Sequence, residues 1–147
     1  MGTIIAIWHV GGKGKSETIR EFANLLLLSY PSCAVTKQTP PSIPASDISW
    51  IVTVNGKTIG IESCGDPYTN LTERLNELSQ KHNCDIIICA TRTKGETVDA
   101  VNALSSIYQV IWTSTYDTAP NLNITQQSLN QLKAKHILDI LQSNRLI

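Results

Sequence analysis

The chain lacks an excess of charge of either sign. Its 147 residues include 12 Lys and Arg and 12 Asp and Glu, so the formal net charge is zero. No overall field therefore draws the protein to a phosphate backbone or an acidic membrane surface, and nucleic acid is unfavoured as the main ligand. A local basic cluster can still bind phosphate, because charges act within a Debye length of roughly 8 Å at physiological salt.

Long apolar runs and closely spaced cysteines are also missing. No apolar run approaches the roughly 20 residues that span a bilayer, and the amino terminus lacks the basic start of a secretory signal. Cys33, Cys64, Cys84 and Cys89 form no C-x-x-C pair, which zinc sites and redox motifs normally need. We expect a cytoplasmic protein without a membrane segment, in which the cysteines are buried reduced thiols.

The composition is that of a folded domain. Hydrophobic residues make up 41% of the chain and charged residues 16%, which is typical of globular proteins. A chain of this length can bury one substantial core. Residues 1–147 are therefore predicted to form a single domain.

Strand and helix patterns alternate along the chain. An apolar, β-branched run over residues 3–8 predicts a strand covered on both faces, and helical spacing predicts a helix over residues 15–30. The same reasoning predicts helices over 70–82, 96–106 and 125–143 and strands over 84–90 and 108–113. The helix residues predicted to face inward are Leu71, Leu75, Leu78, Val98, Val101, Leu104, Leu129, Leu132, Ile137, Ile140 and Leu141. This alternation predicts an α/β fold with a mostly parallel sheet.

One part of the sheet is predicted to be antiparallel. Two β-rich runs, over residues 48–54 and 57–62, are separated only by Asn55 and Gly56. Asn-Gly is a strong signal for a β-hairpin, because both turn residues adopt positive φ. The segment before the hairpin, residues 38–47, holds three prolines and is predicted to be an extended loop.

A glycine-rich segment joins the first strand to the first helix. Its residues are Gly11, Gly12, Lys13, Gly14, Lys15 and Ser16. Glycines allow backbone N–H groups to approach a phosphate closely, and the helix N-terminus adds a favourable dipole. In this pattern a lysine at position 15 reaches the β- and γ-phosphates, and a serine hydroxyl at position 16 binds Mg²⁺.

This segment resembles the Walker A motif of P-loop NTPases, in the Gly-x-Gly-Lys-Ser version that ends at Ser16. It is also similar to the deviant Walker A loop of plasmid-partitioning and nitrogenase-iron-type ATPases. His9 stands where the usual motif has its first glycine, and Val10 stands where the deviant loop has its extra lysine. The resemblance implies a three-layer P-loop NTPase-like fold, with a mostly parallel sheet and one antiparallel hairpin strand.

A second segment resembles the Asp-x-x-Gly of switch-type NTPases, with Glu62 in place of the aspartate and Gly65 as the glycine. The resemblance implies that this strand lies next to the loop strand and that Glu62 contacts Mg²⁺ or activates water. Asp66 is a second candidate for either role, and a plain turn with solvated acids is the alternative. Glu62 closes an apolar strand, where an unpaired charge is costly and a nearby Mg²⁺ would remove the cost.

A basic turn follows the strand predicted over residues 84–90. It contains Arg92, at the edge where ligands of open α/β sheets bind. Arg92 is predicted either to contact phosphate or base or to lie in a solvated turn. The complete predicted site has three groups of residues. The catalytic group is Lys15, Glu62 and Asp66, the metal-binding group is Ser16 and Glu62, and the nucleotide-binding group is Gly11, Gly12, Lys13, Gly14, Lys15, Ser16, Glu17, Gly65 and Arg92.

These residues predict an ATPase-like hydrolase or switch that binds a nucleoside triphosphate with Mg²⁺. ATP is preferred to GTP because the Asn-Lys-x-Asp guanine motif is absent. A small kinase is the first alternative, although no lid rich in arginine is evident, and a nucleotide-binding module without turnover is the second. A protein partner or a homodimer is expected, since a missing finger arginine is often supplied by a second chain.

Overall fold

A computed structural model of the chain describes residues 1–9, 14–38, 46–119 and 123–147. The predicted binding residues Gly11, Gly12 and Lys13 lie outside the described residues, as do positions 39–45 of the segment predicted to be an extended loop. Among the residues that are described, no helix is both long enough and apolar enough to cross a membrane.

Six strands and four helices make up the described chain. The strands are β1 (Gly2–Trp8), β2 (Ala34–Lys37), β3 (Ser49–Val54), β4 (Lys57–Glu62), β5 (Ile86–Thr91) and β6 (Tyr108–Ser114). The helices are α1 (Lys15–Ser29), α2 (Leu71–Asn76), α3 (Glu96–Asn102) and α4 (Gln126–Ser143), and α2 continues into a π-helical turn over Glu77–Lys81.

The strands form one mixed sheet in the order β2-β3-β4-β5-β1-β6. β4, β5, β1 and β6 are parallel to one another, whereas β3 is antiparallel to both β2 and β4. Asn55 and Gly56 make the turn between β3 and β4 with φ values of 50° and 77°. The predicted α/β class, the mostly parallel sheet and the antiparallel hairpin are therefore confirmed.

One expected neighbour relation is wrong. β5 lies between β1 and β4, so the strand that ends at Glu62 is not next to the strand that leads into the glycine loop. β5 pairs with both of these strands. Its first residue, Ile86, lies opposite Thr3 of β1 on one side and opposite Ile59 of β4 on the other. Order along the chain carries no information about such an insertion.

Helices cover both faces of the sheet. On one face α1 and α4 pack over a core that includes Phe22, Ile137 and Ile5. On the other face α2 and α3 pack over a core that includes Leu75 and Ile4. Successive residues of β1 thus enter opposite cores, as expected for a strand that is buried on both faces.

The inward face of α4 differs from the prediction. Leu132 is 55% exposed, and Leu129 is only partly buried. The buried side chains are instead Asn130, Lys133, Ala134, Ile137, Leu138 and Leu141. An α-helix turns about 100° per residue, so Leu132 lies about 140° around the axis from the core residue Ile137. In α3, Val98 is likewise only partly buried.

Candidate functional site

The four parallel strands end at one edge of the sheet, and the residues that follow them meet there. β1 leads to His9, and α1 begins at the same edge with Lys15. β4 leads to Ser63 and β5 to Arg92. Since β3 is antiparallel to β4, the residues just before β3 also lie at this edge. The predicted site residues that the structure describes therefore lie at one edge of the sheet.

Lys15 is a buried cation that is bound to a neutral group. The residue is 6% exposed, and its Nζ donates a hydrogen bond of 2.7 Å to the carbonyl oxygen of His9. Burial lowers the pKa of Lys15 below its ordinary value; the positive charge of Arg92 lowers it further, and Asp66 opposes the shift. Within the described parts of the chain, no carboxylate lies within ion-pair distance of Lys15.

Arg92 and Asp66 form an ion pair beside Lys15. The Nε and Nη2 atoms of Arg92 lie 3.0 and 2.9 Å from Oδ1 of Asp66. The backbone N–H of Arg92 donates to Oγ1 of Thr97, which ties the turn after β5 to α3. Lys15, Arg92 and Asp66 together hold two positive charges and one negative charge. The group therefore has a net positive charge that an anion would balance.

Ser16 contacts the end of β4. Its hydroxyl donates a hydrogen bond of 3.1 Å to the carbonyl oxygen of Ser63. The Ser63 hydroxyl in turn donates to Oδ1 of Asp47 at 2.7 Å and accepts the N–H of Ile48 at 2.8 Å. A serine hydroxyl at the start of α1 and the Asp47 carboxylate are thereby joined through one residue.

Glu62 lies on the face of the sheet that α2 and α3 cover. It is 1% exposed and forms an ion pair with Arg74 of α2. Ser49 donates a hydrogen bond of 2.6 Å to its second carboxylate oxygen. Burial raises the pKa of Glu62, and Arg74 and Ser49 act in the opposite direction. The sequence argument for Mg²⁺ at Glu62 assumed an unpaired charge, and Arg74 supplies the partner.

Gly14 and Glu17, two further residues of the predicted nucleotide-binding group, contact residues of α4 and α1. Gly14 precedes α1 with φ of 78°, and a Cβ at that position would lie 2.7 Å from Oδ1 of Asn130. Glu17 is exposed and lies 3.8 Å from Arg20 on the same helix. Gly14 is therefore held against α4, whereas Glu17 makes its ion pair along α1.

Gly65 packs against the backbone of β5. A Cβ at this position would overlap the carbonyl group of Ala90, which cannot move without disturbing the sheet. We expect Gly65→Ala to lower the free energy of unfolding by about 1–3 kcal/mol, the usual range for overpacking. Gly60→Ala is the comparison variant, because its Cβ would meet the side chain of Leu78, which can shift by a smaller distance, and not the backbone of a neighbouring strand. Urea denaturation of both variants measures the difference; an equal or larger loss for Gly60→Ala would contradict the expectation.

Two residues of this edge were missed by sequence reasoning. Asp47 closes the proline-rich loop just before β3, and the predicted hairpin already placed the start of β3 beside the end of β4. Lys133 of α4 is 4% exposed; its Nζ donates to Oγ1 of Thr113 at 2.5 Å and lies 5.2 Å from the ring centroid of Tyr116. No sequence signal identifies Lys133, because it lies far along the chain in a helix.

All four cysteines are free thiols. Cys64, Cys84 and Cys89 are buried, and Cys33 is partly buried. Burial raises the pKa of Cys84 and of Cys89 to about 12, so both remain protonated at neutral pH. In the described ranges, no three His, Cys, Asp or Glu side chains are grouped so that they could hold a metal ion by themselves.

Comparisons of the chain with protein-family models, with curated proteins and with solved structures found no match. The described part of the chain defines the class of the protein by itself: an α/β protein with a six-stranded, mostly parallel mixed sheet and four helices within that part.

Proposed function

We propose that the chain binds a nucleoside triphosphate, with ATP preferred, together with Mg²⁺, and that it hydrolyses the nucleotide slowly as a switch or regulator. The observation that carries this proposal is Lys15. Lys15 is buried near Arg92, and its ammonium group is bound to a neutral carbonyl. Its positive charge is therefore destabilised by desolvation, and no carboxylate partner offsets this within the described residues. A phosphate group next to Lys15 would supply the missing negative charge.

The surroundings of Lys15 fit a phosphate chain. Lys15 is the first residue of α1, a helix of 15 residues whose positive dipole end favours an anion. Arg92 supplies a planar guanidinium that can donate two parallel hydrogen bonds to the oxygens of one phosphate. Asp66 is 57% exposed in its ion pair with Arg92, so a phosphate can compete with Asp66 for the guanidinium.

The donor set also fits Mg²⁺ bound together with a phosphate. Mg²⁺ usually keeps several waters and takes one or two carboxylates in addition to phosphate oxygens, so a site of this kind needs few protein ligands. Ser16 and Asp47 are the residues that would hold it, with Asp66 as a further carboxylate. When bound, the ion neutralises charge that develops on the phosphate oxygens. Glu62 is less suited than sequence reasoning implied, because Arg74 and Ser49 already engage both of its carboxylate oxygens.

The same contacts support a set of roles in slow hydrolysis under this proposal. Lys15 and Arg92 would stabilise the negative charge of the transferring phosphoryl group. Asp66 or Asp47 would orient the attacking water, since both carboxylates lie at the carboxyl edge of the sheet. Arg92 is held by Asp66 in the described chain, which is consistent with slow turnover.

Phosphate release tests the proposal against its two alternatives. We expect slow, Mg²⁺-dependent release of inorganic phosphate from ATP, with no acceleration by added nucleosides or nucleoside monophosphates. Consumption of ATP that depends on such an acceptor would identify a kinase instead. Binding without any consumption would identify a module that does not turn over, and the hydrolysis part of the proposal would then be withdrawn.

The lowered pKa of Lys15 predicts how nucleotide affinity depends on pH. Only the protonated amine attracts phosphate, so affinity is retained at low pH and falls as pH rises through the Lys15 pKa, at a pH below the ordinary value of 10.5. The loss should be roughly 10- to 100-fold, the worth of a charge-assisted hydrogen bond. Binding of a fluorescent ATP analogue across the alkaline range measures it. Lys15→Arg stays charged over this range, so a variant that still binds should show a flat profile; a wild-type profile that is equally flat would contradict the expectation.

A further inference from the structure

The two edge strands of the sheet, β2 and β6, differ in how well they are protected against pairing with a strand of another chain. β2 is a short edge strand of 4 residues that includes Lys37 and an irregular register, and these features discourage pairing with another chain. β6, at the opposite edge, has 7 residues with the sequence YQVIWTS. It contains no charge, no proline and no glycine. Among the described residues, no strand other than β1 pairs with β6.

Exposed apolar side chains concentrate around β6. Ile107 immediately before the strand is 42% exposed, Trp112 within it 38%, and Tyr116 just after it 41%. Trp8, on the neighbouring strand β1, is also 38% exposed. Large apolar side chains of this kind grouped along an edge strand indicate an interaction surface.

One open cavity lies beside β6 on the α3 face of the sheet, and a second lies between Tyr116, just after β6, and the outer side of α4. On the α3 face, a cavity of about 370 Å³ is lined by Trp8, Thr93, Val98, Asn102 and Trp112. On the α4 face, a cavity of about 400 Å³ is lined by Tyr116, Leu129, Leu132, Lys135, His136 and Asp139. The second cavity contains the two leucines of α4 that were predicted to face inward and do not. An occupant that covers β6 and extends past Tyr116 would also cover Leu129 and Leu132.

We propose that this surface is the interface of a homodimer in which β6 pairs antiparallel with β6 of a second copy. Full-length pairing places the strand's middle residue, Ile111, opposite itself and Val110 opposite Trp112 of the other copy. Gln109 then lies opposite Thr113, so no charge is brought into the sheet. The strand is thus complementary to itself, as a two-fold interface requires.

The helices support the same arrangement. The two-fold axis of an antiparallel strand pair is perpendicular to the sheet, so both copies of α4 lie on the same face. Under this proposal the other copy covers Leu132 of each α4, which is 55% exposed in the single chain. Lys135 and Asp139 border this surface, 67% and 49% exposed, and form an ion pair of 3.4 Å with each other along α4. The charges that border the surface are therefore already balanced within each copy, so two copies can approach without like-charge repulsion. The proposal is independent of nucleotide binding, and the dimer is expected with and without ATP.

The mass of the chain in solution tests this interface. Sedimentation or light scattering should give twice the monomer mass of 16.1 kDa for the wild type. Trp112→Lys and Leu132→Lys, one on each side of the edge, should each raise the dimer dissociation constant at least tenfold. Leu28→Lys is the matched control, because Leu28 is 77% exposed at the end of α1, and it should leave the dimer unchanged.

Hydrogen exchange on the wild type tests the same claim without any substitution. The amides of β6 should exchange more slowly above the dimer dissociation constant than after dilution, while those of β2 stay unchanged. A wild type that remains a monomer at every concentration would overturn the proposal, including the case in which a different protein covers this edge. A dimer that leaves the β6 amides unprotected, or that Leu28→Lys weakens as much as Trp112→Lys does, would overturn it as well.

Discussion

Lys15→Ala is expected to weaken the binding of Mg·ATP about a hundredfold, while the protein stays folded. The substitution removes the cation that would face the β- and γ-phosphates, and a hydrogen bond to a charged group contributes about 1.5–3 kcal/mol. It also removes a buried amine whose only hydrogen-bond acceptor among the described residues is the His9 carbonyl, so the free protein should lose little stability. Displacement of a fluorescent ATP analogue measures the change in affinity.

Lys94→Ala is the matched control for this experiment. Lys94 is an exposed lysine in the turn after β5, close to the same edge. Its removal lowers the net charge by the same amount but takes away no buried cation, so affinity should change by less than threefold. Equal losses for the two variants would show that general charge, and not the position of Lys15, governs binding.

Arg74→Met is expected to lower the free energy of unfolding by about 3–5 kcal/mol, the usual cost of removing one partner from a buried ion pair. Arg74 is 11% exposed and Glu62 1%, so the substitution leaves a carboxylate buried without its cation. Arg74 also donates to the carbonyl oxygen of Cys64 at 2.7 Å, which adds a lost contact at the end of β4. Urea denaturation at neutral pH measures the loss.

The pH dependence of this loss identifies its cause. Without Arg74, the pKa of Glu62 rises further, so the folded variant holds a proton that the unfolded chain releases. The stability of the variant is then retained below the ordinary pKa of 4.5 and is lost as pH rises through the raised pKa. The difference in free energy of unfolding between wild type and Arg74→Met should therefore become smaller at acid pH. Replacing Glu62 and Arg74 together by methionine should recover much of the stability at neutral pH; a difference that is constant with pH would contradict this explanation.

Local signals in the sequence predicted much of the fold. The hairpin follows from Asn55 and Gly56, whose positive φ values a two-residue turn requires. Short apolar, β-branched runs predicted the strands and apolar residues at helical spacing predicted the helices, and their alternation along the chain was sufficient to predict a mostly parallel sheet.

Features that depend on distant contacts were not predictable in the same way. The insertion of β5 between β1 and β4 is a choice of strand partners, which no local pattern encodes. Glu62 finds its partner in Arg74, a residue on a different element, so the sequence showed a buried acid and not the cation that balances it. The inward side of α4 is set by α1 and the sheet together, which explains why Leu132 was placed on the wrong side.

The candidate site was predictable where residue types and spacing define it. Lys15, Ser16, Asp66 and Arg92 lie at one edge of the sheet, as expected of residues that follow parallel strands or begin the helix after them. Asp47 joins them through Ser63 only because β3 is antiparallel to β4, which brings the start of one strand beside the end of the other.

Calorimetric titration of the wild-type chain with ATP and GTP, each in the presence of Mg²⁺, tests nucleotide binding most directly. We expect one nucleotide per chain, with tighter binding of ATP than of GTP and loss of binding when Mg²⁺ and Lys15 are both removed. Absence of binding by either nucleotide up to millimolar concentration would contradict the proposed function. The buried lysine at the start of α1 would then need another explanation.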